Sequence, residues 1–290
     1  MKPNPKFLQQ PKSFWACVRS LSEKVGYSKG AALVVPTVER MATAFSELDL
    51  NPKNIVHDGT PTTLGRLIHE YFHYRADVLH KHVEPHLMDA AAARELFLSS
   101  RKKYNPRCPL PMNKQKGDKK AEAYLTGIVN MIIEAEANGL PCDYDPRQLT
   151  TVTRNGSPVR TLARRVDGAF PDIVNPVAIW EIKEYYYTTT FGSRVADGVY
   201  ESLLDGVELE ELREHEGIDV KHYLMVDAYR TWWKDGKSYL CRIVDMLHMG
   251  YVDEVLFGKE VVAELPRIVR EWVKLAEAAG KKTSSDAELF

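Results

Sequence analysis

The amino-acid sequence predicts an α/β (α+β) fold, with a helical N-terminal portion and a central mixed β-sheet flanked by helices. Three observations predict this. Apolar residues recur at helical spacing before about residue 105 and again at 119–138, a period of two begins near residue 149, and helical and extended segments alternate after about residue 177. A change of period from 3.6 to 2 indicates a change from helix to strand. Alternating helices and strands build a sheet that helices cover.

Residues 12 to about 105 are predicted to be helical throughout, because their apolar positions fall three or four residues apart, as in Leu64, Ile68, Tyr71 and Phe72. The following stretch, 101–120, contains eight Lys or Arg residues and one acid, Asp118, together with prolines. Such a composition is typical of a linker or a surface loop.

The second half is predicted to form a sheet with covering helices. Asn155-Gly156 is expected to turn a hairpin, since both residues tolerate a positive φ. The segment 177–183 is apolar on both faces until its carboxyl end, as strands inside a sheet are. The predicted elements are a helix at about 119–138, strands at 149–153, 159–170 and 177–183, a helix at about 194–213, a strand at 222–227, a helix at 239–249, a strand at 254–257 and a helix at about 260–278.

These elements predict three parts: a helical region 1–118 for DNA recognition or dimerisation, a core 119–280 and a flexible tail 281–290. No apolar run reaches the roughly 20 residues that cross a bilayer, and the first residues lack the apolar segment of a signal peptide. A cytoplasmic protein without membrane contact is therefore expected. The four cysteines show no C-x-x-C spacing, so neither a disulfide framework nor a thiolate zinc site is expected.

The charges nearly cancel, with 39 Lys plus Arg against 40 Asp plus Glu and a formal net charge of -1. This balance excludes a protein that coats nucleic acid by bulk charge. It is an average over two patches, because 101–120 carries +7 (eight bases, one acid) and 201–219 carries -7 (eight acids, one Arg). We interpret the basic patch as a phosphate contact or a solvated loop, and the acidic patch as a solvated helix face and loop.

The strongest chemical signal is Asp167, followed after a turn by Glu181 and Lys183 at the end of the apolar strand. Strand residues two apart share a face, and Asp167 can reach the same point from the neighbouring strand. Converging carboxylates are the usual ligands of magnesium. Lys183 would orient or help deprotonate an attacking water and offset charge on a phosphate. A Glu–Lys pair at a strand end, with Asp167 serving a turn, is the structural alternative.

At these residues the chain resembles the PD-(D/E)XK nuclease superfamily, and within it the type II restriction endonucleases, over roughly residues 120–260. Asp167 matches the first acid of the motif, Glu181 the second and Lys183 the lysine; Asp172, in a literal Pro-Asp, is the fallback for the first. The resemblance implies a restriction-endonuclease-like core and sequence-specific cleavage of double-stranded DNA. It also implies Mg²⁺ as cofactor, for which Mn²⁺ is expected to substitute, and a homodimer.

Many members of this superfamily add a carboxylate from the helix before the sheet. Glu136 lies on the apolar stripe of the predicted helix and matches that role as a metal ligand better than Glu134 does. Some exonuclease-like members carry Gln-x-x-x-Tyr on the helix after the lysine strand. Here Ala196 stands four residues before Tyr200, which argues against a processive exonuclease.

Residues that could contact DNA follow the predicted strand that ends at Lys183, or lie in the basic stretch 101–120. Hydroxyls, rings and cations near a bound phosphate can position a nucleic-acid backbone. Packing of the tyrosines within an extended strand is the alternative interpretation. The predicted DNA contacts are Tyr185, Tyr187, Thr189, Arg194, Lys102 and Lys103.

A competing motif, His69-Glu70-Tyr71-Phe72-His73, matches H-E-x-x-H in a predicted helix. Two histidines four residues apart share a helix face and could bind zinc, with Glu70 as general base of a metallopeptidase. A recognisable third ligand is missing, since the position where a metzincin carries a further histidine is Leu79. A non-catalytic DNA-binding protein on a nuclease-like fold is the third hypothesis.

Overall fold

The computed structural model describes residues 1–30, 32–115, 118–187 and 192–287; the side chains of 114–120, 193–194 and 281–287 are not described. Two π-helical turns, Leu79–Val83 and Arg230–Asp235, and a 3-10 turn, Pro52–Asn54, accompany the α-helices. The α-helices are α1 (Pro5–Leu8), α2 (Lys12–Val25), α3 (Val38–Glu47), α4 (Thr63–Val78), α5 (Glu84–His86), α6 (Ala90–Tyr104), α7 (Tyr124–Glu136), α8 (Ser193–Glu216), α9 (Lys237–His248) and α10 (Glu260–Ala287).

In the described parts of the chain, the strands form one central sheet and four short hairpins. They are β1 (Ser28–Lys29), β2 (Ala32–Leu33), β3 (Val56–His57), β4 (Thr60–Pro61), β5 (Met112–Gln115), β6 (Asp118–Glu122), β7 (Thr151–Arg154), β8 (Ser157–Thr161), β9 (Gly168–Phe170), β10 (Ala178–Glu184), β11 (Lys221–Asp227) and β12 (Glu254–Phe257).

The central sheet is mixed and has the order β12-β11-β10-β9. Strands β10, β11 and β12 are parallel, while β9 runs antiparallel to β10 with Gly168 opposite Trp180. Strand β10 is therefore internal, which explains why its residues are apolar on both faces. The α/β class and the central mixed sheet are confirmed.

Helices cover both faces of this sheet. Helices α7 and α10 pack on one face, where the indole rings of Trp180 and Trp272 stack with centroids 5.3 Å apart. Helices α8 and α9 pack on the other face against alternate strand residues such as Leu224 and Val226. A third apolar cluster joins α2, α3 and α4 in the N-terminal part. In the described residues, no helix is both long and apolar enough to cross a membrane.

Three predicted elements were wrong. The N-terminal portion is not all helical, because turns at Gly30 and at Asp58-Gly59, which adopt positive φ, close the hairpins β1–β2 and β3–β4. The stretch 101–120 is not a plain loop, since it contains the end of α6 and most of the β5–β6 hairpin, and α7 begins only at Tyr124. The predicted strand at 159–170 is two strands separated by the irregular segment 162–167.

The hairpin at Asn155-Gly156 is confirmed, with φ values of 51° and 78° at the two residues. The predicted domain boundary at residue 118 stays a prediction, although packing joins the elements on its two sides, since Phe97 of α6 and Ile128 of α7 lie in one apolar cluster. The predicted tail 281–290 also stays a prediction. Its backbone is helical to Ala287, and 288–290 lie outside the described residues.

Candidate active site

The three residues with the strongest sequence signal lie together at the carboxyl end of β10. Lys183 Nζ lies 2.6 Å from Glu181 Oε2. Asp167, immediately before β9, donates its backbone N–H to Glu181 Oε1 at 3.2 Å and accepts a hydrogen bond from the Ile182 N–H at 2.8 Å. The antiparallel pairing of β9 with β10 brings Asp167 opposite Glu181, as the sequence predicts.

Three further charged residues complete this group and were missed from the sequence. Arg164 Nη1 lies 2.8 Å from Glu181 Oε1 and 2.6 Å from Asp205 Oδ2. Arg164 Nη2 and Lys183 Nζ also contact Glu201 Oε2, at 3.3 Å and 3.1 Å. We call the six residues the strand-end cluster: Arg164, Asp167, Glu181, Lys183, Glu201 and Asp205.

A signal for two of the missed residues was present in the sequence. Glu201 and Asp205 are four apart on a predicted helix and so share a face. They were assigned to the acidic patch 201–219, interpreted as a solvated face. That interpretation was wrong for Asp205, which is fully buried because α8 packs this face against the sheet. Arg164 lies in the irregular segment 162–167, where no periodic pattern indicates a direction.

Helix α8 reaches the cluster because Gly198 has no side chain. A Cβ at this position would lie 2.6 Å from Tyr185 Oη and 3.2 Å from Lys183 Cδ. The close approach brings Glu201, one turn further along α8, to the Lys183 ammonium.

The cluster contains four carboxylates and two cations, a formal charge of -2 when all are ionised. Burial alone would raise the pKa of Glu181, but Lys183 and Arg164 beside it hold that pKa below its ordinary value. Burial opposes the charge of Lys183, yet Glu181 and Asp167 raise the pKa of this lysine above its ordinary range. Lys183 is therefore protonated at neutral pH.

Two other carboxyls of the cluster, those of Asp167 and Asp205, are harder to ionise. Asp167 has an exposed side, but desolvation of its carboxyl and the nearby charge of Glu181 raise its pKa to about 6. Burial and the charge of Glu181 raise the pKa of Asp205 to about 7, in spite of the contact with Arg164. Perturbed carboxyls of this kind are common in functional sites.

The cluster opens into a cavity of about 520 Å³ whose wall includes Arg164, Asp167, Lys183 and Glu201. The wall also includes Asn130 of α7, which is 1% exposed. Asn130 Oδ1, and Asp205 Oδ1 of the cluster outside this wall, are buried oxygens without a hydrogen-bond partner in the described part of the chain. Buried acceptors without a partner are costly, and this is typical of sites that receive a ligand.

The donor chemistry of the cluster fits a divalent metal ion. It offers hard carboxylate oxygens, an excess of negative charge and the unpartnered Asp205 Oδ1. Both oxygens of Glu181 are engaged by Arg164 and Lys183, however. No three His, Cys, Asp or Glu side chains in the described residues are arranged to hold a metal ion. Asp167, Glu181 and Asp205 could supply its ligands only if the cations that engage Glu181 moved aside.

The other predicted ligands lie elsewhere. Glu136, at the end of α7, pairs with Arg270 of α10 at 2.6 Å, and its neighbour Glu134 accepts a hydrogen bond from the Arg107 N–H. The structure therefore does not bring Glu136 to the cluster, because the last turn of α7 points this side chain towards α10. Asp172 is exposed and accepts a hydrogen bond from the Val174 N–H within its own turn.

The predicted DNA contacts are only partly described. Tyr185 lines the cavity, and the exposed Tyr187 donates a hydrogen bond to Tyr124 Oη at 3.3 Å. Lys102 and Lys103 are exposed in the last turn of α6. Thr189 lies outside the described residues, as does the side chain of Arg194 at the start of α8.

The H-E-x-x-H motif lies in α4, as predicted. The His69 and His73 rings meet edge to face with centroids 4.6 Å apart, and Glu70 pairs with Lys6 at the surface. In the described residues, no further His, Cys, Asp or Glu joins these histidines in a metal-binding group.

Fold and site together define an α/β protein with an acid-rich, partly buried cluster at the end of its central strand. The chain belongs to the family described as domain of unknown function DUF7687, whose model matches residues 88–272, more than half of the chain. A second model, domain of unknown function DUF7690, matches residues 1–82. No curated protein and no solved structure matches the chain. All six residues of the strand-end cluster lie within the DUF7687 match.

Proposed function

We propose that this chain is a magnesium-dependent DNA endonuclease of the PD-(D/E)XK type, with a restriction-endonuclease-like core, that cleaves double-stranded DNA at a specific sequence. The observation that carries the proposal is the convergence of Asp167, Glu181 and Lys183 at one strand end, beside a cavity. Glu–Lys pairing alone would give a neutral strand end. Here three further carboxylates, one further cation and an unpartnered oxygen exceed what a structural pair needs.

The residues take distinct roles in this proposal. Asp167 and Glu181 hold the metal, and bound Mg²⁺ would supply an activated water and a counter-charge for the phosphate. Lys183 stabilises negative charge on the phosphate oxygens, because its raised pKa makes it a poor proton acceptor. This modifies the sequence-based hypothesis, in which Lys183 could also help to deprotonate the water.

The proposal extends to partners and location. Cleavage of both strands by a chain with one such cluster implies a homodimer that acts on duplex DNA in the cytoplasm. Among the proposed DNA contacts whose side chains are described, Tyr185 lines the cavity beside the cluster. Lys102 and Lys103 would serve as more distant phosphate contacts.

The two alternative functions have weaker support. A zinc peptidase would use His69 and His73, but its general base, Glu70, is engaged by Lys6 at the surface. A non-catalytic DNA-binding protein would not need acids with a raised pKa beside a lysine.

Plasmid digestion separates the three functions. Supercoiled plasmid is incubated with Mg²⁺ and wild type, Lys183→Ala or Glu70→Ala, the last being the matched surface control. We expect wild type and Glu70→Ala to cut and Lys183→Ala to lose cutting. Absence of cutting by every form, over a panel of DNA sequences, would reject the endonuclease. Retention of DNA without cleavage would favour the binding protein, and stoichiometric zinc lost on mutation of His69 would favour the peptidase.

A further inference from the structure

The Arg164 guanidinium lies between Glu181 and Asp205. It contacts both oxygens of Glu181, at 2.8 Å and 3.2 Å, and Asp205 Oδ2 at 2.6 Å. These are two of the three residues that would supply metal ligands. A guanidinium and a divalent cation both neutralise carboxylates, and both cannot lie between the same oxygens.

Arg164 and Lys183 differ in how firmly the fold holds them. Lys183 is part of the internal strand β10 and is only 5% exposed, so surrounding protein atoms enclose its side chain. Arg164 belongs to the irregular segment between β8 and β9 and lines the cavity, with 22% of its side chain exposed. Its long side chain can turn into the cavity while the strands stay paired.

Asp205 shows that Arg164 does not complete the site. Asp205 is fully buried, and Arg164 engages only its Oδ2, which leaves Oδ1 without a hydrogen-bond partner in the described residues. One guanidinium thus serves three carboxylates, Glu181, Glu201 and Asp205. A divalent ion would bring twice the charge and could use the second oxygen of Asp205.

We propose that Arg164 is an exchangeable counter-cation of this site, which the divalent metal displaces from Glu181 and Asp205, and that Asp205 then becomes a metal ligand. This inference rests on the proposed function, because it concerns the metal site of the same cluster. It assigns a role to two residues, Arg164 and Asp205, that the sequence motifs do not include.

Titration calorimetry with Mn²⁺ alone tests the exchange. Wild type is compared with Arg164→Met and with the control Arg160→Met. Arg160, on β8, pairs with Glu208 and Glu211 of α8 and not with the cluster. Removing the competitor should tighten Mn²⁺ binding about tenfold or more, since uncompensated buried carboxylates favour a new cation. Arg160→Met should bind Mn²⁺ as wild type does. The double variant Arg164→Met/Asp205→Asn should lose this increase in Mn²⁺ affinity.

Melting curves give a second readout without enzyme activity. Arg164→Met should melt below wild type in EDTA and regain more stability than wild type does on adding Mn²⁺. If Arg164→Met does not fold, Arg164→Gln replaces it, since glutamine keeps hydrogen-bonding groups without the charge.

The outcomes separate this inference from the proposed function. If wild type binds Mn²⁺ and Arg164→Met binds it equally or less tightly, the exchange is rejected and the metal site stands. If neither wild type nor Arg164→Met binds Mn²⁺, the proposed metal-dependent function fails as well. If the gain persists in the double variant, Asp205 is not a ligand.

Discussion

Two groups of arginine and carboxylate side chains in this protein differ in the balance of their charges. In the first, Arg75 of α4 contacts both oxygens of Asp245 on α9, at 3.0 Å and 2.9 Å, and the Tyr71 hydroxyl donates to the same carboxylate at 2.6 Å. Its guanidinium also lies over the Phe72 ring, 4.8 Å from the centroid. One cation thus meets one anion and both Asp245 oxygens have partners, although Arg75 Nη2 has none in the described residues.

The strand-end cluster has two cations for four carboxylates, and Asp205 Oδ1 has no partner among the described residues. A balanced pair between helices fixes packing, and Arg75–Asp245 joins the region matched by DUF7690 to the region matched by DUF7687. A buried group with more carboxylates than cations lowers stability. Such a group beside a cavity is expected where a bound cationic ligand neutralises the excess negative charge. The difference separates a structural ion pair from a candidate active site.

The largest expected effect is the loss of cleavage in Lys183→Ala. Removing charge stabilisation at the phosphate should lower the rate of DNA cleavage about 100-fold to 1,000-fold. Single-turnover cleavage of plasmid measures the rate, and circular dichroism checks that the variant is folded. A folded variant with the wild-type rate would remove Lys183 from the proposed active site.

Breaking the Arg75–Asp245 pair should instead lower the stability of the folded chain. Arg75→Met leaves Asp245 buried without its cation, and we expect the free energy of unfolding to fall by about 3–5 kcal/mol. Urea denaturation measures this. Arg40→Met is the matched control, because Arg40 forms an exposed pair with Glu47, and its loss should cost about 0–1 kcal/mol. Equal losses in the two variants would contradict a special role for Arg75.

A smaller effect is expected from Gly198→Ala, which tests the approach of α8 to the cluster. The new methyl group would push Tyr185 and Lys183 away, so cleavage should fall about tenfold or more, as displacements of catalytic groups do. Gly280→Ala on α10 is the control, since its Cβ would meet nothing within 4 Å. It should raise stability by up to about 1 kcal/mol. Unchanged cleavage in Gly198→Ala would show that the helix position is not critical.

The smallest predicted effect is the pH dependence of stability that Asp205 causes. Its pKa is raised to about 7 in the folded chain, so between about pH 4 and pH 7 the folded state binds more protons than the unfolded state. Stability should therefore fall as pH rises through this window, by about 1–3 kcal/mol from this group. Urea denaturation of Asp205→Asn should show a flatter profile. An unchanged profile would contradict the raised pKa of Asp205.

The sequence was sufficient for the parts of the site that depend on local periodicity. Glu181 and Lys183 share a face because they are two apart on a strand, and the apolar run before them predicted an internal strand. Asp167 followed from the hairpin and the neighbouring strand. These relations span at most 17 residues and use backbone geometry alone.

The remainder of the site depends on tertiary contacts that no local pattern encodes. Arg164 points into the cluster from an irregular segment. Asp205 lies in the cluster because Gly198 allows α8 to pack closely against Tyr185 and Lys183. Glu136 was predicted to be a metal ligand because it lies on the apolar stripe of its helix. At the end of α7, however, its side chain pairs with Arg270. The turns at Gly30 and Gly59 likewise interrupt an otherwise helical pattern.

The most direct test of the central claim is cleavage of end-labelled duplex DNA by wild type and Glu181→Gln, with Mg²⁺ and with EDTA. Discrete fragments are expected only for wild type with Mg²⁺, because Glu181 would hold the metal. Glu260→Gln is a suitable control, since Glu260 is a buried carboxylate that pairs with the N-terminal ammonium and His82, outside the cluster. Fragments produced equally by Glu181→Gln, or no fragments from wild type across many DNA sequences, would contradict the account.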